Sequence, residues 1–163
     1  MEVDGLLHLG YNSDVEWRWR KGMLRAYFET RIFNRYFEEG REHHPETKQL
    51  FEMISADDVT AFTSVAVLQE IDQAPEPQRE QMMSLLTRYD IVVLEVEQQA
   101  YDLADLYVEM GVIPARFRMD GVHIAMSAVN DLDCIVSLNF HHINKLNYHL
   151  LKAGGLAHKC ASD

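Results

Sequence analysis

The chain has 163 residues, of which 47% are apolar and 25% are charged, and this is ordinary usage for one globular domain. Its formal net charge of −11 argues against a protein that binds nucleic acid by broad electrostatic attraction. No apolar run reaches the roughly 18 residues of a membrane helix, no secretory signal pattern opens the chain, and the two cysteines lack metal or redox spacing, so we expect a cytoplasmic protein without a membrane segment.

Hydrophobic periodicity and turn residues divide the chain into alternating strands and helices. We predict an N-terminal extension over residues 1–23, one domain over 24–149 and a C-terminal tail over 150–163. Short apolar runs predict buried strands at 24–28, 59–62, 91–94 and 134–138. Apolar residues at helical spacing predict helices at 45–55, 65–71, 78–88, 97–110 and 120–129.

This order of strands and helices is typical of the α/β class, because parallel strands need long and usually helical connections. We therefore predict a mostly parallel central sheet of about four to five strands, flanked by helices on both faces. In such sheets, ligands bind outside the carboxyl ends of the strands.

Four polar residues fall where this sheet would bring them to its C-terminal edge. Glu29 ends the first strand and Asn139 follows the last one. Glu70 lies on the helix after the second strand, and Asp120 opens the last helix. Clustered carboxylates repel one another, so a fold tolerates them mainly around a divalent cation. Oxygen ligands favour Mg²⁺ or Mn²⁺, which can activate water and stabilise charge on a phosphate.

Three blocks of the sequence resemble PIN-domain proteins, of the kind found as VapC-type toxins in toxin–antitoxin pairs. The blocks are YFETRIFNR at 27–35, TSVAVLQEIDQAP at 63–75, and DGVHIAMSAV followed by DCIVSLNFHHI between 120 and 143. The resemblance implies a single PIN-like domain and metal-dependent cleavage of phosphodiesters, usually in RNA. It also implies frequent homodimers and, in toxins, an antitoxin protein that blocks the site.

The resemblance assigns catalytic roles to Glu29, Glu70, Asp120 and Asn139, with Mg²⁺ or Mn²⁺ bound by the first three. The chain departs from the family pattern at Glu29, where the family usually has aspartate. Glutamate is one methylene longer, and Mg²⁺ has strict coordination geometry, so this substitution bears directly on activity. Asn139 stands where many relatives carry aspartate, and its amide oxygen can also bind a cation.

Residues beside these positions are candidates for contacts with the substrate. Thr30, Arg31 and Arg35 follow Glu29, and two further arginines, Arg116 and Arg118, precede Asp120. Arginine binds phosphate through two parallel hydrogen bonds, so these residues would frame the mouth of a nuclease cleft. A solvated basic loop is the alternative interpretation.

Each candidate also has a plain structural interpretation. Glu29 and Glu70 would serve as solvated carboxylates, Asp120 as a helix N-cap, and Asn139 as a turn residue. His123 lies near the apolar face of the last helix, where a hydrogen-bonded core histidine is more common than a catalyst. The sequence contains no zinc-ligand spacing.

Two functions from different classes therefore remain open. The first is a Mg²⁺- or Mn²⁺-dependent ribonuclease, the expected toxin of a toxin–antitoxin pair with RNA as its substrate. The second is a PIN-like module for binding or assembly that is catalytically weakened or inactive, because Glu29 replaces the usual aspartate.

Overall fold

The computed structural model describes residues 24–138 of the chain. The predicted N-terminal extension, Asn139, the end of the predicted domain and the C-terminal tail lie outside the described residues. The strands are β1 (Leu24–Phe28), β2 (Val59–Ser64), β3 (Val92–Leu94) and β4 (Cys134–Val136). The helices are α1 (Thr30–Arg35), α2 (His44–Ser55), α3 (Val65–Asp72), α4 (Gln78–Arg88), α5 (Gln98–Glu109) and α6 (Arg118–Val129), with a short 3₁₀ helix at Ala115–Phe117.

The four strands form one parallel sheet in the order β3-β2-β1-β4. Ala26 at the middle of β1 pairs with Ala61 on one side and Cys134 on the other. The predicted α/β class and mostly parallel sheet are confirmed. Among residues 24–138 we find no helix with the length and hydropathy that a bilayer-spanning segment needs.

Helices cover both faces of the sheet, as two neighbouring residues of β1 show. The Phe28 ring packs edge-on against Phe33 of α1 and Phe51 of α2, with ring centres 6.4 and 5.7 Å apart. The Tyr27 ring instead faces His123 of α6, at 5.8 Å. Because successive strand residues point to opposite faces, α1 and α2 lie on one side and α6 on the other.

The strand order accounts for this division. The chain passes from β1 through β2 to β3 in one direction and then returns across the sheet to β4. Since crossovers between parallel strands are right-handed, the reversal brings α5 and α6 to the face opposite α1 to α4. The strand order therefore changes direction between β1 and β4.

An aromatic cluster forms the core on the α1 and α2 face. Phe51 is fully buried, and its ring centre lies 4.8 Å from those of both Tyr36 and Tyr89. The hydroxyl groups of these two tyrosines are 2.7 Å apart and form a hydrogen bond. Edge-to-face aromatic pairs add about 0.5–1.5 kcal/mol each beyond their burial. The cluster fixes α1, α2 and the end of α4 against the sheet.

The structure differs from the sequence prediction at two helices near the expected site. Helix α1 was not predicted, because six residues give too little apolar periodicity; it forms where Glu29 accepts the N–H of Arg31 and where Ile32 and Phe33 are buried. Helix α6 begins at Arg118 and its N-cap is Phe117, so the N-cap interpretation of Asp120 is wrong.

Gly121 allows α5 and α6 to approach each other closely. A Cβ atom at this position would lie 3.2 Å from Cδ1 of Ile113 and 3.6 Å from Cβ of Ala104. Helix α6 also packs on β1 and β4. The depth at which α6 lies on the sheet, and with it the position of Asp120 and His123, therefore depends on this contact.

We predict that Gly121→Leu lowers the free energy of unfolding by about 1–3 kcal/mol, because its side chain overfills this contact. Urea denaturation measures the change. Gly121→Ala is the matched control, since its one methyl group crowds only the flexible end of Ile113, makes ordinary contact with Ala104 and gains about 1 kcal/mol of helix propensity. A leucine variant as stable as the native chain would contradict the close approach.

Candidate active site

The candidate site lies where β1 and β4 end side by side. The backbone N–H of Glu29 donates to the carbonyl of Val136 at 3.3 Å, which continues the strand pairing to the carboxyl end of both strands. Strand order reverses between these two strands, and ligand sites of open α/β sheets form at such points.

Glu29 joins the two strand ends through its side chain. It is 8% exposed, its Oε2 accepts the N–H of Arg31 at 3.1 Å, and its Oε1 accepts the N–H of Leu138 at 3.1 Å. Burial raises the pKa of the Glu29 carboxyl, and these two hydrogen bonds and the charges of His123 and Arg31 offset the effect only in part. One carboxyl group thus caps α1 and fixes the second residue after β4.

Glu70 on α3 is partly buried and receives hydrogen bonds on both oxygens. The Thr30 hydroxyl donates to Oε2, and Nε2 of His123 lies 3.2 Å from Oε1. Burial opposes ionisation, but the hydrogen bonds from His123 and Thr30, together with the charge of Arg31, bring the pKa of Glu70 below its ordinary value. Glu70 is therefore ionised at neutral pH.

A chain of buried polar atoms continues behind Glu70. Nδ1 of His123 lies 2.8 Å from the Tyr27 hydroxyl, which lies 2.8 Å from the Ser64 hydroxyl. Burial raises the pKa of Tyr27 despite the hydrogen bond to Ser64, so the phenol stays protonated. This network links β1 and the end of β2 to α3 and α6.

Glu29 and Glu70 lie in the same region, because Glu70 accepts a hydrogen bond from Thr30, the residue after Glu29. The negative charges of both raise the pKa of Tyr27, and the positive charge of Arg31 lowers the pKa of both carboxyls. Asp120 is the third residue of α6, partly buried and three residues before His123, so the two share a helix face. Within residues 24–138, no three His, Cys, Asp or Glu side chains converge on one metal position.

The donor chemistry of Glu29 and Glu70 fits Mg²⁺ or Mn²⁺. Both residues offer only oxygen atoms, and a carboxylate oxygen that accepts one hydrogen bond keeps a second lone pair. All three predicted cation ligands, Glu29, Glu70 and Asp120, lie within the described residues. The roles of these three residues as ligands, and of Asn139 as an assisting residue, stay predictions.

The predicted substrate-binding residues have different surroundings. Arg31 is exposed, and its charge acts on both carboxyls of the site. Arg118 forms a bidentate ion pair with Asp105, with N···O distances of 2.5 and 3.0 Å, and Arg35 lies 3.0 Å from a carboxylate oxygen of Glu38. Arg116 stacks on the ring of the next residue at 4.7 Å. Substrate contacts by these arginines stay predictions.

Sequence reasoning did not assign His123, Tyr27 or Ser64 to the site. His123 is a hydrogen-bonded core histidine, as interpreted, yet one of its partners is a predicted metal ligand. The spacing Asp120-x-x-His123 was the available signal, because residues three apart share a helix face. The sequence contains no comparable signal for Tyr27.

Comparison of the sequence with models of protein families and with curated proteins gives no match. Among solved structures, Mycobacterium tuberculosis VapC20, described as a sarcin-ricin loop cleaving toxin, has a TM-score of 0.51 and 15% identity over 71% of this chain and 92% of its own. VapBC2 from Rickettsia felis, bound to a DNA fragment from their promoter, has a TM-score of 0.53 and 14% identity over 80% and 98%. The chain has the PIN-domain fold of VapC toxins. At these identities the likeness is one of fold.

We predict that Glu29→Gln lowers the free energy of unfolding of this PIN-like domain by about 1–3 kcal/mol, because the amide NH₂ would face a buried backbone N–H that loses its acceptor. Glu29→Asp should also destabilise, since its shorter side chain cannot reach both Arg31 and Leu138 without backbone movement. Urea denaturation in a metal chelator measures both. The exposed Glu109→Gln, unchanged in stability, is the control.

Stability should also depend on pH through Glu29. The folded state raises the pKa of this carboxyl, so it binds the proton more tightly than the unfolded chain does. The stability difference between the native chain and Glu29→Gln should therefore shrink as pH rises from the ordinary glutamate range through the raised pKa. Urea denaturation at a series of pH values measures it, and a difference that grows with pH would contradict the assignment.

Proposed function

We propose that the protein is a Mg²⁺- or Mn²⁺-dependent endoribonuclease of the PIN family and the toxin of a toxin–antitoxin pair. The observation that carries the proposal is that two carboxyl groups lie where the strand order reverses: Glu29 joins the ends of β1 and β4, and Glu70 accepts a hydrogen bond from Thr30, the residue after Glu29. The fold shared with VapC20, a toxin described as cleaving the sarcin-ricin loop, supports RNA as the substrate class.

In this proposal the residues of the chain position the reacting groups. Glu70 stays ionised and fixed by Thr30 and His123, Glu29 lies across the strand ends, and Asp120 lies on α6 three residues before His123. A bound divalent cation would lower the pKa of water and stabilise the developing charge on the phosphate. Arg31 supplies a local positive charge for the phosphate backbone in a chain whose net charge is −11.

The proposed partners follow from the same fold. The VapBC2 structure supports an antitoxin protein as partner, and a homodimer in the cytoplasm is the expected form of such a toxin. An antitoxin that covers the carboxylates would inhibit the enzyme by excluding RNA.

One observation favours a second candidate, a PIN-like module for binding or assembly without catalysis. Both oxygens of Glu29 already accept backbone N–H groups, so this carboxyl performs a structural task that needs no cation. Burial raises the pKa of this carboxyl, so a cation there must compete with the proton. The enzyme requires that Glu29 bind a cation with its remaining lone pairs.

Cleavage of a mixed single-stranded RNA with Mg²⁺ or Mn²⁺ separates the two candidates. We predict cleavage by the native chain and a loss of about a hundredfold or more in Asp120→Asn and Glu70→Gln, because each removes a negative charge from the cation site. The exposed Asp102→Asn on α5 is the control and should cleave at the native rate.

The remaining outcomes decide against the enzyme as proposed. Cleavage by Glu29→Asp alone would mean that the additional methylene group of Glu29 prevents catalysis in the native chain. If neither the native chain nor any variant cleaves RNA, although all of them fold, the result would favour the binding module.

A further inference from the structure

We infer that His123 is a positioning residue for Glu70. The Nε2–H of His123 fixes one oxygen of the Glu70 carboxylate, so that this carboxylate is oriented for a divalent cation. The inference rests on the proposed function, because it assigns Glu70 as a cation ligand. It adds a residue that the resemblance to the PIN family does not supply, and it explains why a histidine occupies a buried position on α6.

The hydrogen bond between His123 and Glu70 has only one possible direction. An ionised carboxylate has no proton to donate, so the nitrogen that faces Oε1 at 3.2 Å must carry the hydrogen. This holds in both protonation states of the imidazole, since a neutral ring with its proton on Nε2 and a charged ring both donate there. The contact therefore orients Glu70 without requiring His123 to titrate.

Glu70 is constrained at two points. Thr30 donates to Oε2 while His123 donates to Oε1, so rotation of the carboxylate plane would break both hydrogen bonds. Thr30 belongs to α1 and His123 to α6, and these helices lie on opposite faces of the sheet. The orientation of Glu70 is thus set from both sides of the fold.

The ring of His123 is itself fixed from behind. Nδ1 lies 2.8 Å from the Tyr27 hydroxyl, which in turn lies 2.8 Å from Ser64. Tyr27 is fully buried in the central strand, so the anchor does not move with a surface loop. With a neutral ring, Ser64 donates to Tyr27, Tyr27 donates to Nδ1 and Nε2 donates to Glu70, so every hydrogen on the chain has an acceptor.

His123 acts through Glu70 and does not contact the substrate. Its side chain is 7% exposed, and its two ring nitrogens are occupied by Glu70 and Tyr27. A carboxylate that already has its binding orientation loses less rotational freedom when a cation binds. Loss of hydrogen-bond partners of metal ligands typically costs about 10–100-fold in metal affinity.

Calorimetric titration of the full chain with Mn²⁺ tests the inference. We expect His123→Leu to bind Mn²⁺ about 10–100-fold more weakly than the native chain. His123→Gln should recover most of the affinity, because its amide places a donor and an acceptor about as far apart as the two ring nitrogens. Rescue by glutamine but not by leucine is the result that a packing role alone would not produce.

Two controls accompany the titration. Ser127→Ala removes a buried polar group one turn later on the same helix and should bind Mn²⁺ like the native chain. Thermal unfolding without metal identifies any variant that fails to fold. If His123→Leu does not fold, His123→Asn replaces it, because the asparagine side chain is too short to reach Glu70.

A metal-free measurement tests the contact by itself. Proton–nitrogen correlation spectra of the histidine side chains should show His123 with a proton on Nε2, and Glu70→Gln should shift that signal. An unshifted signal, or native Mn²⁺ affinity in His123→Leu, overturns the inference while leaving the proposed function intact. Absence of Mn²⁺ binding by the native chain would instead overturn the proposed function, and with it the role of His123 towards a cation.

Discussion

The Glu29 carboxyl group determines how the C-terminal edge of the sheet is built. It accepts the N–H of Arg31 at the start of α1 and the N–H of Leu138 after β4, so two neighbouring strands end in a fixed relation. Without these bonds, the N–H groups of Arg31 and Leu138 would lose their acceptor, and an unpaired backbone donor in a buried position lowers the stability of the fold. The first turn of α1, and with it Thr30 and Glu70, depends on this arrangement.

Two neighbouring carboxyl groups in this region have pKa values that move in opposite directions. Burial dominates for Glu29 and raises its pKa, whereas hydrogen bonds from His123 and Thr30 lower that of Glu70. When two carboxyl groups have different pKa values, they can perform different functions although they are chemically identical. Glu29 is suited to a structural role, and its ionisation depends on pH over a higher range than that of an ordinary glutamate. Glu70 is suited to carrying a negative charge at neutral pH. The ribonuclease and the binding module differ mainly in how Glu29 behaves when a cation is present.

The central sheet could be predicted from the sequence because β1 and β2 are short apolar runs separated by helical segments with clear periodicity. Glu29 could be placed at the C-terminal edge because strand ends of a parallel sheet meet there, and Glu70 could be placed near it because its helix directly follows β2. Helix α1 was missed, because its formation depends on the Glu29 cap and on burial of Phe33, which are tertiary effects. The His123 network was missed for a similar reason, since the strand position of Tyr27 relative to α6 follows only from the folded sheet.

The bond between Glu29 and Leu138 also links two parts of the chain that are 109 positions apart. Because the acceptor is a side chain and the donor is backbone, the length of residue 29 and the path of the chain after β4 must suit each other. In a lineage that exchanges glutamate and aspartate at this position, the exchange would be neutral only in company with changes after β4. We therefore expect the effect of a substitution at residue 29 to depend on the residues that follow β4.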